Sequence, residues 1–338
     1  VFLRQLKAKG VAIIYVSHRM DEIARIADRA TILRDGKHVI TAPLADLPID
    51  VMIEHIVGKK SKGLADVARG DVSRGEVLLE LANVTGPHKP ENVSFALHRG
   101  EVLGLAGLLG SGRSALARVV AGIEPAVSGE IRIKGTRVAV RRPADAVAHR
   151  IALVPEARAT QGIIPAHSVA DNMVMSVIGR IAPKGFVDRV RVRDIAEDMI
   201  ARLSIKTASR DHAVSTLSGG NQQKVVIGKW LATEPEILIL DEPTAGIDIG
   251  SKAEIIRLVR DLAQAGKGVI VISSELSELL TACDRILVMA DGRAHQMLDR
   301  ADLDDPEERD PEHALQAAER RLQIEIQKAL TIKEASHG

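Results

Sequence analysis

A stretch near the beginning of this chain is spelled out again near its end, and the repetition limits what the whole can fold into more than any single residue does. Gly10-Val11-Ala12-Ile13-Ile14-Tyr15-Val16-Ser17-His18, running on to Asp28-Arg29 and Asp35-Gly36, returns at a constant offset. The second copy is Gly266-Lys267-Gly268-Val269-Ile270-Val271-Ile272-Ser273-Ser274, running on to Asp284-Arg285 and Asp291-Gly292. Each copy reads as a buried strand, a polar turn, a short helix and a last strand closed by an Asp-Gly turn. The second copy ends a long series of strand and helix signals, whereas nothing of the kind stands before the first. The organisation expected is therefore one complete domain behind the tail of another. Residues 1–57 read as the C-terminal remnant of a first domain and 58–75 as a polar linker. Residues 76–304 read as the complete second domain and 305–338 as a C-terminal tail. Val1 in place of Met, followed by what resembles the end of an amphipathic helix, fits a chain that begins in mid-structure.

From Glu76 onward, apolar runs at Val77 to Leu81, Val102 to Ala106, Ile151 to Val154, Ile237 to Leu240 and Val269 to Ile272 alternate with helical segments. That pattern predicts an α/β fold with a largely parallel sheet wrapped by helices. Residues from about 162 to 216 lack strand runs and read as a helical insertion, a place where a partner can dock. In the tail, Asp310-Pro311-Glu312 precedes an apolar stripe at Leu315, Ala318, Leu322, Ile326 and Ala329. This reads as an N-capped helix, packed on the preceding domain or a partner, or solvated. Composition excludes several classes. Lys plus Arg number 46 against 45 Asp plus Glu, a formal charge of +1, which argues against a general grip on nucleic acid or anionic lipid. The single cysteine, Cys283, rules out an internal disulfide, and the eleven histidines show no zinc-ligand spacing. No apolar run reaches the roughly 18 to 20 residues that span a bilayer.

Gly107-Leu108-Leu109-Gly110-Ser111-Gly112-Arg113-Ser114 follows a strand and opens a helix. This is the setting of a phosphate loop, whose glycines let backbone N–H groups wrap an anion at a positive helix end. Taken alone, the glycines would also suit a plain strand-to-helix turn. Arg113 stands where lysine normally reaches the phosphates, and a planar guanidinium does not replace a compact ammonium. Ser114 is placed to ligate Mg2+ through its hydroxyl.

Two further motifs point the same way. Ile237 to Leu240 delivers Asp241 and Glu242 at the end of a strand, where open α/β sheets hold ligands. Asp241 is expected to hold Mg2+ and Glu242 to orient or deprotonate an attacking water. Leu217-Ser218-Gly219-Gly220-Asn221-Gln222-Gln223-Lys224 is the most specific segment. Its two glycines leave Ser218 and the first amides of the next helix unobstructed, a second anion-binding helix end. Two such ends in one domain make sense where two subunits share a phosphate.

With these residues in hand the chain resembles the ATP-binding-cassette family, from Leu217 to Lys224 and again from Leu240 to Asp248. Within it the likeness is to the tandem ATPase subunits of bacterial ribose, galactose and xylose importers, from Val1 to about Leu303. The resemblance implies a P-loop NTPase-like cassette with a mainly parallel core sheet, an antiparallel β subdomain and a helical subdomain. It implies ATP and Mg2+, cassettes paired head to tail, and each ATP lying between one phosphate loop and the other cassette's signature. Leu217, Ser218, Gly219, Gly220 and Gln222 would then act in trans on ATP held by the first cassette, with His18 as a γ-phosphate contact there. The second site would comprise Gly107, Gly110, Ser111, Gly112, Arg113, Ser114, Glu156, Asp241, Glu242 and Ser274. Arg113, Glu156 and Ser274 are the replacements that this class commonly carries in its second cassette, so binding with slow or no hydrolysis is expected there. The chain departs from the class at Ala157, Ala159 and Ala245. No aromatic residue between Glu76 and Ser94 is available to stack on adenine, which leaves His88 or Pro90 for the base. Phe95, Trp230 and Tyr15 read as core. The partners implied are the missing first cassette or a second subunit, membrane permease subunits and, indirectly, a periplasmic sugar-binding protein, with no nucleic acid. The site of action implied is the cytoplasmic side of the inner membrane. Two other readings stay open: a non-hydrolysing regulatory cassette, and a soluble cassette ATPase unconnected with transport.

Overall fold

The computed structural model describes residues 2–16, 23, 25–34, 37–48, 51, 52, 55, 74–183, 185–304 and 310–336. The expected linker up to Ser73 and His18 lie outside the described residues. The first part contains helix α1 (Phe2–Ala8) and an antiparallel hairpin of β1 (Arg29–Arg34) and β2 (Lys37–Pro43). Ile32, Leu47 and Met52 are buried in a small cluster against which Ile249 of the second part packs.

The described residues from Arg74 onward form two sheets. β3 (Val77–Thr85), β4 (Val93–His98), β6 (Ser128–Ile133) and β7 (Thr136–Val138) form an antiparallel sheet in the order β4-β3-β6-β7. β5 (Val102–Ala106), β8 (Ile151–Val154), β9 (Ile237–Asp241), β10 (Gly268–Ile272), β11 (Arg285–Ala290) and β12 (Arg293–Asp299) form the other, in the order β12-β11-β5-β10-β9-β8. Every pair in it is parallel except β11 with β12. Its strands β5, β8, β9 and β10 are buried at every position because both faces are covered, whereas the edge strand β12 is largely polar and partly open. Val102, Ala152, Leu238 and Val269 point into one core, and Leu103, Ile151, Ile237 and Ile270 into the other.

Helix α2 (Arg113–Val120) lies in the second of these cores, where Leu116, Val119 and Val120 meet side chains of both sheets. α3 (Pro143–Ala148) leads into β8. α4 (Val169–Val174), α5 (Ile178–Ile181) and α6 (Arg189–Arg202) make the helical insertion, of which α4 and α6 pack on α7 (Gly219–Leu231). Asp188 caps α6 by accepting hydrogen bonds from the amides of Val190 and Arg191. The fully buried Asn172 fixes the turn before α4, accepting from Ile164 N–H at 2.8 Å and donating to the carbonyls of Ile164 and Ser168. α8 (Ile249–Gln264), α9 (Leu276–Ala282) and α10 (Arg300–Leu303) complete the wrapping, followed by the long α11 (Pro311–Ser336). In α11, Asp310 Oδ1 accepts from His313 N–H, and the predicted stripe is buried: Ala318, Leu322, Ile326 and Ala329 join the core formed with α9 and β11. Phe95 is buried as expected, Cys283 is buried too, and Trp230 is half-buried under the Lys229 ammonium.

One expectation from the repeat fails. Residues 11–16 form no strand, and Tyr15, expected in a core, is exposed, with Ile14 and Val16 above 90% exposure. The counterpart β10 is held between β5 and β9. Among the described residues no strand pairs with 11–16.

Candidate functional site

The C-terminal ends of β5, β9 and β10 bring the phosphate-loop and strand-end motifs together. Gly112 opens α2 at φ +98°, and a Cβ there would come within 2.8 Å of Gly292 Cα. No side chain caps this helix start. The Ser111 hydroxyl is buried and makes no hydrogen bond within the chain. A buried orphan hydroxyl beneath an uncapped helix start is what a loop built around an anion would leave. Beside the loop is a cleft of about 390 Å3, lined by Gly110 to Ala115 and by His88, Lys89, Arg118, Glu124, Glu156 and Glu242.

Ser114 donates to Asp241 Oδ1 at 3.1 Å, joining the end of the phosphate loop to the end of β9. Burial pushes the Asp241 carboxyl up to about 6; the Ser114 hydrogen bond opposes this, and the charges of Glu156 and Glu242 add to it. A hydroxyl and a carboxylate side by side are hard oxygen donors of the kind Mg2+ takes, with its remaining positions left to water and phosphate. Among the described residues there is no cluster of three or more His, Cys, Asp or Glu able to hold a metal.

Glu242 is held from two sides. Ser274 donates to its Oε2 from both backbone N–H and hydroxyl, each at 3.1 Å, and Arg113 Nη2 lies 3.8 Å from its Oε1. Its φ of +46° is unusual for a side chain with a Cβ and turns the chain sharply after β9. Arg113 is itself buried and donates from Nη1 to the Ser273 carbonyl at 2.6 Å. Burial lowers its pKa, against the carboxylates of Glu242, Asp241 and Glu156. Behind it, the fully buried Glu278 accepts from Thr244 at 2.5 Å and Ser273 at 2.8 Å, with Lys252 Nζ 3.3 Å away. Burial raises its pKa.

The other motif stands elsewhere. Ser218 precedes α7, and its hydroxyl accepts from Asn221 Nδ2 at 2.8 Å; Gln222 Nε2 donates to the Leu217 carbonyl at 3.0 Å. A Cβ on Gly220 would lie 2.4 Å from Ser251 Oγ, so α8 is close-packed on this point. A Cβ on Gly219 would lie 2.9 Å from Arg158 Nη2. Arg158 also donates to the carbonyls of Ala245 at 2.6 Å and Gly246 at 3.3 Å. None of Leu217 to Gln222 lines the phosphate-loop cleft.

Of the residues named from sequence, Gly110 to Ser114, Glu156, Asp241, Glu242 and Ser274 therefore converge, with Gly107 beneath Ser111. Leu217, Ser218, Gly219, Gly220 and Gln222 stand apart from it, with Ser218 exposed and Gly220 buried against α8. Of the two candidates for the base, His88 lines the cleft and Pro90 is buried away from it. Lys89, Arg118, Glu124, Arg158 and the Thr244–Ser273–Glu278 group were not foreseen. The partners of Lys89, Arg158 and Thr244 lie 21 to 88 residues away in sequence, and no periodicity marks the nearer Arg118–Glu124 and Ser273–Glu278 pairs.

Known proteins share both the motifs and the architecture. The family described as "ABC transporter" matches residues 90–245. The chain is 45% identical over 300 residues to a Burkholderia lata protein named a candidate ribose/galactose/methyl galactoside import ATP-binding protein, covering 88% of this chain and 58% of that protein. It is 43% identical over 298 residues to the xylose import ATP-binding protein of Burkholderia ambifaria, covering 86% and 57%. To a ribose import ATP-binding protein of Burkholderia pseudomallei it is 44% identical over 291 residues, covering 86% and 56%. The chain thus spans little more than half the length of these relatives. Among solved structures it is similar to an ATP-binding cassette of an ABC transporter at a TM-score of 0.59 and 24% identity, covering 67% of this chain and 93% of that one. A second cassette, solved as a dimer with ADP and phosphate, gives a TM-score of 0.57 at 23% identity and 66% and 99% coverage. The α/β fold, the convergent phosphate-loop cleft and these likenesses agree: the chain is similar to the ABC transporter family of ATP-binding proteins, which matches residues 90–245.

Proposed function

We propose that this chain is the energy-coupling part of a bacterial sugar importer: a second cassette preceded by the end of a first. The observation that carries the reading is the junction of Ser114, Asp241 and Glu242 at the mouth of the phosphate-loop cleft. Gly107, Gly110, Ser111 and Gly112 would surround the phosphates of ATP, Ser114 and Asp241 would hold Mg2+, and Glu156 and Glu242 would face the terminal phosphate. Mg2+, when bound, would supply charge neutralisation on the phosphate oxygens. Leu217, Ser218, Gly219, Gly220 and Gln222 would be offered to ATP held by a first cassette or a second subunit, with His18 contributing there. Membrane permease subunits, and through them a periplasmic sugar-binding protein, are the partners, at the cytoplasmic face of the inner membrane. No helix among the described residues is long and apolar enough to cross a membrane.

A specific observation favours slow turnover in this chain's own site. Arg113 is committed to the Ser273 carbonyl and lies beside Glu242, while both Ser274 donors occupy Glu242 Oε2. A carboxylate so engaged is poorly placed to take a proton from water. The purified chain is expected to bind ATP in a Mg2+-dependent manner that Asp241→Asn weakens, with little steady-state release of phosphate. Absence of ATP binding would overturn the nucleotide reading; brisk phosphate release that Glu242→Gln abolishes would overturn the slow-turnover part alone.

A further inference from the structure

The phosphate loop of this chain has an unusual distribution of positive charge. Arg113, at the position from which a cation normally reaches the phosphates, is only 7% exposed and turned inward: one guanidinium nitrogen donates to the Ser273 carbonyl and another lies beside Glu242. Withdrawing it would leave a buried carbonyl and a half-engaged carboxylate, so it is costly to redirect. The same cleft is lined by Glu124, Glu156 and Glu242, which repel a polyanion.

A second cation sits on the loop from outside. Lys89, in the turn between β3 and β4, donates from Nζ to the Gly110 carbonyl at 2.6 Å. Its stem crosses the loop, with its Cβ 3.5 Å from where a Gly112 Cβ would be and its Cγ 3.0 Å from where a Gly292 Cβ would be. Its ion-pair partner Asp291 is 3.1 Å away, and both side chains are partly open to water, at 35% and 52% exposure. The remaining cation of the lining, Arg118, is paired with Glu124 at 2.7 Å. Lys89 thus holds a flexible ammonium at the cleft mouth through one carbonyl and one solvent-exposed carboxylate, both weak holds beside a phosphate.

We propose that Lys89 is the mobile cation of this site: when a polyphosphate enters, its ammonium leaves Gly110 and Asp291 and closes on the phosphate oxygens, taking the part that the buried Arg113 does not play. The proposal rests on the nucleotide reading above and adds to it a residue outside every motif. Its test compares ATP, inorganic tripolyphosphate and adenosine binding to the full chain by calorimetry. Lys89→Gln is expected to weaken ATP and tripolyphosphate about tenfold, the loss of one charge-assisted contact, while adenosine is unchanged and Lys89→Arg keeps most of the affinity. The dependence of ATP affinity on salt is expected to flatten in the Gln variant. ATP affinity equal to that of the unaltered chain overturns the proposal and leaves the nucleotide reading standing. An equal loss for adenosine also overturns it, because the role would then be in folding or in the base. Failure of the unaltered chain to bind either ATP or tripolyphosphate removes the nucleotide reading and this proposal together.

Discussion

Asp241 shows how one buried carboxyl ties stability to its ligand. Its ordinary pKa of 3.8 is pushed to about 6 by burial, so between those values the folded chain keeps a proton that the unfolded chain gives up. Unfolding then releases protons, and stability falls as pH rises through this window; below about 4 both states are protonated and the effect vanishes. A cation on the Ser114–Asp241 pair favours the ionised form and reverses the trend. Melting temperatures at pH 4.5 and 6.5 should therefore show a larger stabilisation by Mg2+ at the higher pH, and Asp241→Asn should erase the difference. Arg113 gives a second test. Lysine cannot span from the Ser273 carbonyl to Glu242 with a planar fork, so Arg113→Lys should loosen the carboxylate and raise phosphate release roughly tenfold in single-turnover assays. A rate unchanged by that substitution would mean that Glu242 is not restrained by the arginine.

Among the elements, the start of α7 has the narrowest tolerance. Gly220→Ala would place a methyl 2.4 Å from Ser251 Oγ and 2.5 Å from Ser251 Cβ, and α8 can give way only by shifting. A loss of about 1–3 kcal/mol is expected in denaturant titration, restored by Ser251→Gly in the double variant but not by Ser251→Ala. This geometry also shows what the sequence reveals and what it withholds. The strands were legible because Val102 to Ala106 or Ile237 to Leu240, apolar at every position, need covering on both faces. The phosphate loop was legible because its glycines sit between such a strand and a helix. The contacts of Arg158 with Ala245, Gly246 and Gly219 were not, because they join segments remote in sequence through backbone carbonyls that any residue carries. Tyr15 misled for the opposite reason: its local pattern is that of β10, but a strand is made by its neighbours. Arg158→Ala should leave ATP affinity at the phosphate-loop cleft unchanged while speeding amide exchange at Gly219 and Gly246. Equal protection in both proteins would show that Arg158 does not anchor this corner.

Across the whole molecule, the long C-terminal helix α11 belongs to the same core as the sheet. Leu322 and Ala318 are fully buried beside Leu279, Leu280 and Ile286, and α11 packs on α9, which begins just after Ser274. Leu322→Ala is expected to cost about 2–5 kcal/mol in global unfolding, as for a leucine of the central sheet. A much smaller value would mean that the helix detaches before the rest unfolds. Arg321 reinforces the docking by donating to the carbonyls of Leu303 and Asp304. A version of the protein ended at the apparent cassette boundary, after residue 304, would uncover an oily strip along α9 and β11. Such a shortened product should clump with its own kind in solution, so affinity tags and cleavage sites belong beyond Ser336.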